Sequence, residues 1–274
     1  VGKQAWEMRA ALEAGVKCFN VESVPELKRL SQVACEMSKT AAVSLRVNPD
    51  VDAQTHPYIS TGLKENKFGI AWEDAEAAYA HAAALDGIEA SGIDIHIGSQ
   101  ITDLAPFRAA FEKTADLLGR LRAAGHRITR LDLGGGLGVP YQKNNETPPD
   151  PVAYARMIHE TLGDAECQII LEPGRLIAAN AGILVSSVVR AKRGQAKNFM
   201  IIDAAMTELL RPTLYGAHHH IAPVEQSGDE NNNDQWDVVG PVCESGDFLG
   251  LARSLPEMQS GDLLAVFTAG AYGA

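Results

Sequence analysis

The sequence predicts an α/β fold, an incomplete (β/α)8 TIM-type barrel followed by a mostly antiparallel β domain. Three observations carry this expectation. Apolar, β-branched runs alternate with stretches of helical periodicity through residues 6–171, the pattern of parallel strands joined by crossover helices. Three of those runs close on chemically distinctive segments: His96-Ile97-Gly98-Ser99-Gln100, Gly134-Gly135-Gly136-Leu137-Gly138 and Glu172-Pro173-Gly174-Arg175. Parallel α/β folds put their chemistry at such strand ends. Past Arg175, strand-like runs follow one another without long helices between them.

In chain order, helical spacing over 6–14 stops at Gly15, and the apolar run 16–21 reads as a strand. The unit then repeats, with helix 25–37, strand 42–47, helix 73–85 and strand 92–97. Helix 107–124, strand 128–133, helix 152–162 and strand 167–171 complete the first part. Motif-bearing strand ends favour a barrel over an open doubly wound sheet, although strand order is not readable from one sequence and the open sheet stays possible. The second part shows strand-like runs at 183–189, 199–202, 237–239 and 263–267. The expected domains are therefore 1–178, a partial cofactor-binding barrel lacking its first strands, and 179–274, a partial β domain. A lid is expected over 48–66 and a solvated, asparagine-rich excursion over 226–235.

Composition excludes several classes of function. With 24 Lys and Arg against 35 Asp and Glu, the chain of 274 residues carries a formal charge of −11, and no basic block interrupts it. A nucleic-acid partner and an anionic membrane surface are disfavoured, and a small-molecule enzyme fits better. No apolar stretch has the length of a membrane span, so no membrane partner is expected. Cys18, Cys35, Cys167 and Cys243 are widely spaced, without a CxxC pair, which suggests reduced thiols and a cytoplasmic location. The chain opens without Met almost directly into a helical pattern, and a piece of a longer protein is expected.

Gly134 to Gly138 follow a strand directly, so their unobstructed N–H groups could converge on an anion, with a plain tight turn as the alternative. Gln142 stands where a dinucleotide motif would need its later glycine. By strand alternation Ile95 and Ile97 point away from His96, whose ring would face the barrel mouth beside Ser99 and could stack on a cofactor ring; a satisfied core histidine is the alternative. Glu172 could hold a pyridine nitrogen protonated, or could pair locally with Arg175. Together these segments describe a pocket for a phosphorylated cofactor with a ring nitrogen. Adjacent residues of the run His218-His219-His220 would point to opposite faces, so no metal site is expected. Arg211 to Tyr215 set a guanidinium near a phenol, which suits a substrate carboxylate; Cys243 to Asp247 set a thiol beside a carboxylate, which suits proton transfer and amine recognition. Ordinary solvated loops are the alternative at both places.

The ordered motifs HIGSQ, LGGGLG, EPGR, RPTLYGA, CESGDFL and GAYG, with FNVES at 19–23, RVNP at 46–49 and KFG at 67–69, span nearly the whole chain. In that order they resemble the fold-type III, alanine-racemase-like pyridoxal-phosphate decarboxylases, and among these the diaminopimelate decarboxylases. The resemblance implies pyridoxal 5'-phosphate as cofactor and, in the complete protein, decarboxylation of meso-2,6-diaminopimelate to L-lysine, the last step of lysine biosynthesis. His96, Glu172 and Cys243 would be catalytic: His96 stacked on the ring, Glu172 at its nitrogen, Cys243 near the proton transfer. Ser99, Gly134, Gly135, Gly136, Gly174, Arg175 and Tyr272 would serve the cofactor, chiefly its phosphate. Arg175, Arg211 and Tyr215 would take the substrate's distal carboxylate and Glu244 its distal ammonium. The resemblance also implies a homodimer with shared active sites, the Cys243 loop entering the partner's site and Lys67 pairing with Asp247 across the interface. The family's cofactor-linking lysine lies on an earlier strand than any seen here, so the chain as given is expected to be inactive. An ornithine, arginine or carboxynorspermidine decarboxylase, or a non-catalytic relative, are the competing expectations.

Overall fold

The computed structural model describes residues 1–53, 67–142, 148–225 and 233–273. They form two compact units, Val1–Gly138 with Pro148–Pro173, and Val139–Thr147 with Gly174–Ala274. The expected lid lies outside the described residues from 54 to 66, and the expected excursion lies outside them from 226 to 232.

The first unit runs α1 (Ala5–Ala14), β1 (Phe19–Val21), α2 (Val24–Glu36), β2 (Ala41–Asn48), β3 (Ile70–Ala71), α3 (Ala75–Ala83), β4 (Ile88–Asp94), α4 (Ala105–Ala123), β5 (Arg130–Asp132), α5 (Pro151–Leu162) and β6 (Gln168–Ile170). Every pairing in its sheet is parallel, in the order β1-β2-β4-β5-β6, with β3 against the end of β2. The order never reverses, as a barrel requires and a doubly wound sheet does not. The fold is thus α/β, a partial (β/α)8-type barrel. Helix starts are locally encoded: Ser23 accepts the Glu26 N–H ahead of Pro25, and Asp150 accepts the Val152 N–H ahead of Pro151. Val21, Val43, Leu45, Ile93 and Leu131 are fully buried, and Phe107, Phe111 and Tyr154 interlock α4 with α5.

Two strands differ from the sequence reading for physical reasons. Residues 16–18 are spent leaving α1, where Gly15 takes a left-handed cap and Val16 N–H bonds back to Ala11, so β1 starts only at Phe19. β4 lies earlier than expected, because Ala41 to Arg46 pair with Ile88 to Asp94 and Gly92 packs against Ser44 so closely that a Cβ would overlap its hydroxyl. His96 therefore stands beyond the strand rather than in it.

The second unit holds α6 (Arg175–Ala178), β7 (Leu184–Lys192), β8 (Asn198–Ile202), α7 (Arg211–Tyr215), β9 (Ile221–Pro223), β10 (Asp234–Val239), β11 (Phe248–Leu255) and β12 (Leu263–Val266). Its sheet runs β11-β10-β8-β7-β12-β9, antiparallel except for β8 with β10. The sheet curls until its edge strands approach, a Cβ on Gly250 falling 2.9 Å from Ile221 Cδ1. Inside the curl Trp236, Met200, Ile202, Val238, Leu249 and Leu264 form the core. Among the described residues no helix is long and apolar enough to cross a membrane.

Candidate active site

The strand ends of the first unit gather a charged cluster. β1 brings Asn20 with Glu22 just beyond it, β2 Arg46, β4 Asp94 with His96 just beyond, β5 Asp132, and β6 Glu172, two residues past its end. Asn20 Nδ2 donates to Asp132 at 3.0 Å and to Glu172 at 3.3 Å, while Arg46 pairs with Glu22 at 2.9 Å. The second oxygen of Glu22 accepts the Gly69 N–H at 2.9 Å. Burial opposes ionisation of Glu22, but Arg46 and that amide outweigh it and hold its carboxyl below the usual range. Glu172 is shifted the other way: burial and the neighbouring Asp132 raise it, Arg46 only partly countering them. Asp94, almost fully buried beside Asp132, is pushed well above the ordinary range, and its Oδ1 has no hydrogen-bond partner. Four carboxyl groups thus share one guanidinium, an arrangement that favours an incoming cation.

The glycine loop after β5 is bound tightly to its surroundings. Gly134 N–H donates to Asp132 Oδ1 and Gly135 N–H to His96 Nδ1, each at 3.1 Å. The amides of Gly134 and Gly135 are therefore turned inward, so of the several N–H groups expected to converge on an anion these two are already taken. Gly134 and Gly136 both have positive φ, and a Cβ would meet Ile95 O at 2.5 Å in the first and Gly98 O at 2.4 Å in the second. Ile101 N–H to Gly136 O and Gly138 N–H to Ile101 O, both 2.9 Å, lace this loop to the one carrying Ser99. Because Nδ1 of His96 accepts a hydrogen bond, its ring is neutral with the proton on Nε2. Burial, reinforced by Arg46, lowers its pKa to about 4.

The second unit assembles a cationic cluster. Arg175 and Arg211 are both buried, at 5% and 6% exposure. Arg175 Nη1 hydrogen-bonds Tyr141 Oη, and its guanidinium lies 4.6 Å from the Tyr272 ring centroid; that of Arg211 lies 4.0 Å from the Tyr141 centroid. The ring beneath Arg211 is Tyr141, which the sequence reading did not name, and Tyr215 also lies close enough to act on the Arg211 charge, as the RPTLY spacing suggested. Tyr215 is half-buried at the end of α7, and Gly174 lies next to the Tyr272 hydroxyl. Thr213 Oγ1 donates to Gly246 O at 2.6 Å, bringing α7 against the loop of Cys243 and Glu244, whose side chains are exposed. Asp247 anchors that loop from within, its oxygens accepting Met206 N–H at 2.7 Å and Val242 N–H at 2.8 Å. Only 3% exposed, it is committed to its own chain, which argues against the expected pairing with Lys67 of a second copy. The three consecutive histidines diverge: His218 meets Arg253, His219 meets Arg211, and His220 meets the Phe267 ring.

Several of these residues carried no role in the sequence reading. Asp94 and Asp132 were visible as lone carboxylates inside apolar runs, and Asn20, Glu22 and Arg46 sat in motifs noted only for resemblance. Tyr141 closes the glycine segment, and His219 stands in the sequence only as the middle of three consecutive histidines. Among the described residues no group of three or more His, Cys, Asp or Glu is arranged to hold a metal ion.

On this parallel barrel, residues 1–179 match the pyridoxal binding domain of the pyridoxal-dependent decarboxylases. The chain belongs to that family. Its relatives include the diaminopimelate decarboxylases of Neisseria meningitidis serogroup A, 52% identical over 274 residues, and of Pseudomonas aeruginosa, 54% identical over 273. Each match takes in 100% of this chain, which spans only 66% and 65% of those two proteins. In structure the chain resembles diaminopimelate decarboxylase from Helicobacter pylori complexed with L-lysine, with a TM-score of 0.93 and 42% identity over all of this chain and 67% of that one.

Proposed function

We propose that the complete protein is a carboxy-lyase that uses pyridoxal 5'-phosphate to convert meso-2,6-diaminopimelate to L-lysine. The observation that carries this reading is the surplus of carboxyl groups around Glu172, which favours a protonated pyridine nitrogen, together with a glycine loop that leaves no room for a Cβ at Gly134 or Gly136. When bound, the cofactor supplies an electron sink for the pair left behind by the departing carboxylate. Glu172, oriented by Asn20, keeps the proton on the ring nitrogen. His96, held neutral by Gly135, covers the ring face. Ser99, the Gly136 amide, Gly174 and Tyr272 serve the phosphate; Gly134 and Gly135 shape the loop. Arg175, Arg211 and Tyr215 take the distal carboxylate and Glu244 the distal ammonium, which selects a substrate with a second amino-acid end. Cys243 is assigned to the proton transfer that follows carbon dioxide loss. The names of the relatives support this substrate, and the L-lysine in the Helicobacter pylori structure supports an amino-acid ligand. The reading includes a homodimer with shared sites and a cytoplasmic location, which the four free cysteines suit.

Kinetics of two variants of the full-length protein test it. Glu172→Gln should lower kcat on every substrate, because the lost interaction belongs to the transition state they share. Glu244→Gln should instead raise KM for meso-diaminopimelate by one to two orders of magnitude, since a charge-assisted contact is worth about 1.5–3 kcal/mol, and should leave cofactor affinity unchanged. Wild-type kinetics in Glu244→Gln would overturn the substrate assignment and favour another decarboxylase of the same fold.

A further inference from the structure

His219 has no part in the reaction as assigned above, yet it is fully buried against a residue that does. Its Nε2 lies 2.7 Å from Arg211 Nη1 and its Nδ1 lies 2.9 Å from the carbonyl oxygen of Phe267. A carbonyl can only accept and a guanidinium can only donate, so the tautomer is fixed: Nδ1 carries the proton and Nε2 offers its lone pair to Arg211. Tyr141 closes the arrangement, its ring 5.1 Å from the imidazole in an edge-on contact and 4.0 Å from the Arg211 guanidinium. Burial, with the charge of Arg211 adding to it against the pull of the Phe267 carbonyl, lowers the His219 pKa to about 4 and keeps the lone pair available.

The choice of partner has a chemical consequence. A carboxylate in the place of His219 would fix the guanidinium equally well, but it would neutralise it and compete with any anionic ligand. A neutral imidazole orients the cation and leaves its charge unspent. Among the described residues Arg211 forms no salt bridge, its polar partner being this histidine.

We propose that His219 is a positioning residue, which holds Arg211 in the orientation that meets the carboxylate retained in the product, so that preference for ligands bearing that carboxylate depends on it. The proposal rests on the reading that Arg211 binds this group. L-lysine keeps the carboxylate, whereas cadaverine is the same diamine chain without it, so their dissociation constants for the full-length, cofactor-loaded protein, measured by titration calorimetry, isolate the contact. His219→Asn withdraws the acceptor from the Nε2 position, and His219→Gln restores an amide oxygen there. Expected is a loss of about tenfold in L-lysine affinity for His219→Asn, cadaverine affinity unchanged, and near wild-type behaviour for His219→Gln. Should His219→Asn fail to fold, His219→Met, which fills the space with a poor acceptor, takes its place. The proposal is overturned if the acceptor-free variant leaves L-lysine binding intact, if both ligands weaken alike, or if His219→Gln is as impaired as His219→Asn. Arg211→Ala separates the two levels. If it spares the preference for L-lysine, the carboxylate assignment fails and the inference with it; if it abolishes that preference while His219→Asn does not, only the positioning role fails.

Discussion

Replacing Gly136 by alanine should damage both the fold and the cofactor cradle, by an amount that follows from local geometry. The residue has φ of 109°, where an L side chain costs roughly 1–3 kcal/mol. Its new Cβ would stand 2.4 Å from the Gly98 carbonyl oxygen, and relief to the 3.0 Å below which real Cβ contacts are essentially unknown demands a backbone shift of about 0.6 Å. That shift strains the Ile101 N–H bond to Gly136 O and, through it, the Gly138 N–H bond to Ile101 O, interactions worth about 0.5–1.5 kcal/mol each. The expected destabilisation is about 2–4 kcal/mol, read from urea unfolding of the full-length protein without cofactor. Affinity for pyridoxal phosphate, followed by absorbance titration, should fall by at least about tenfold, because the Gly136 amide moves with the backbone. Gly119→Ala is the control. That glycine is exposed within α4 with nothing within 4 Å of a new Cβ, so the same chemical change should stabilise by about 0.4–1 kcal/mol. A Gly136→Ala protein with unchanged unfolding midpoint and cofactor affinity would refute the assignment of a close-packed anion cradle to this loop.

Two further outcomes follow from buried charge. His96 titrates near 4 in the folded protein against an ordinary 6.5, so between those values the unfolded chain binds the proton first. Its contribution is therefore fully present above pH 6.5 and drains away as pH falls toward 4, by up to roughly 3 kcal/mol. The raised carboxyls of Asp94 and Glu172 act with opposite sign, losing stability as pH rises, so the measurement is the difference in unfolding free energy between wild type and His96→Gln across pH 4–7. A pH-independent difference would contradict a neutral His96. Asp247→Asn should loosen the 240–247 loop, because one amide oxygen cannot replace a carboxylate that accepts two N–H groups: hydrogen exchange at Met206 and Val242 should accelerate, whereas Lys67→Ala should leave both protected. Equal effects from the two variants would restore the pairing of these charges.

The strand ends were legible because β-branched runs stop abruptly at glycine, proline or charge, and that boundary survives small errors of register. The register itself was not legible. Nothing in the residues around Gly92 announces that Ser44 of a neighbouring strand will occupy the space of its missing side chain, yet that contact shifts β4 toward its N-terminus and puts His96 in a loop. β11 escaped notice for a related reason: Gly250 and Arg253 break the alternation, and Ala252 adopts φ of 50° so that its N–H can reach Asp237 Oδ1 at 2.8 Å. The placement of single residues at strand ends, such as His96 and Glu172, could be anticipated. Roles that depend on a second residue brought from far along the chain, such as Tyr141 beneath Arg211, could not.

Under the proposed function, each unit meets the same electrostatic requirement, with opposite sign. In the first, Glu172 in its proposed role would have to be oriented without being neutralised, because a cationic partner from the protein would take the place of a protonated ring nitrogen; the residue that holds it is the uncharged amide of Asn20, while Arg46 is occupied by Glu22. In the second, Arg211 must be oriented without being neutralised, and the residue that holds it is the uncharged imidazole of His219. A charged partner would strengthen either contact in isolation and weaken what the site can bind, since a buried pair satisfies itself. Exchanging either neutral partner for a charged one should therefore cost binding even where it adds stability: Asn20→Lys against the cofactor, His219→Glu against L-lysine.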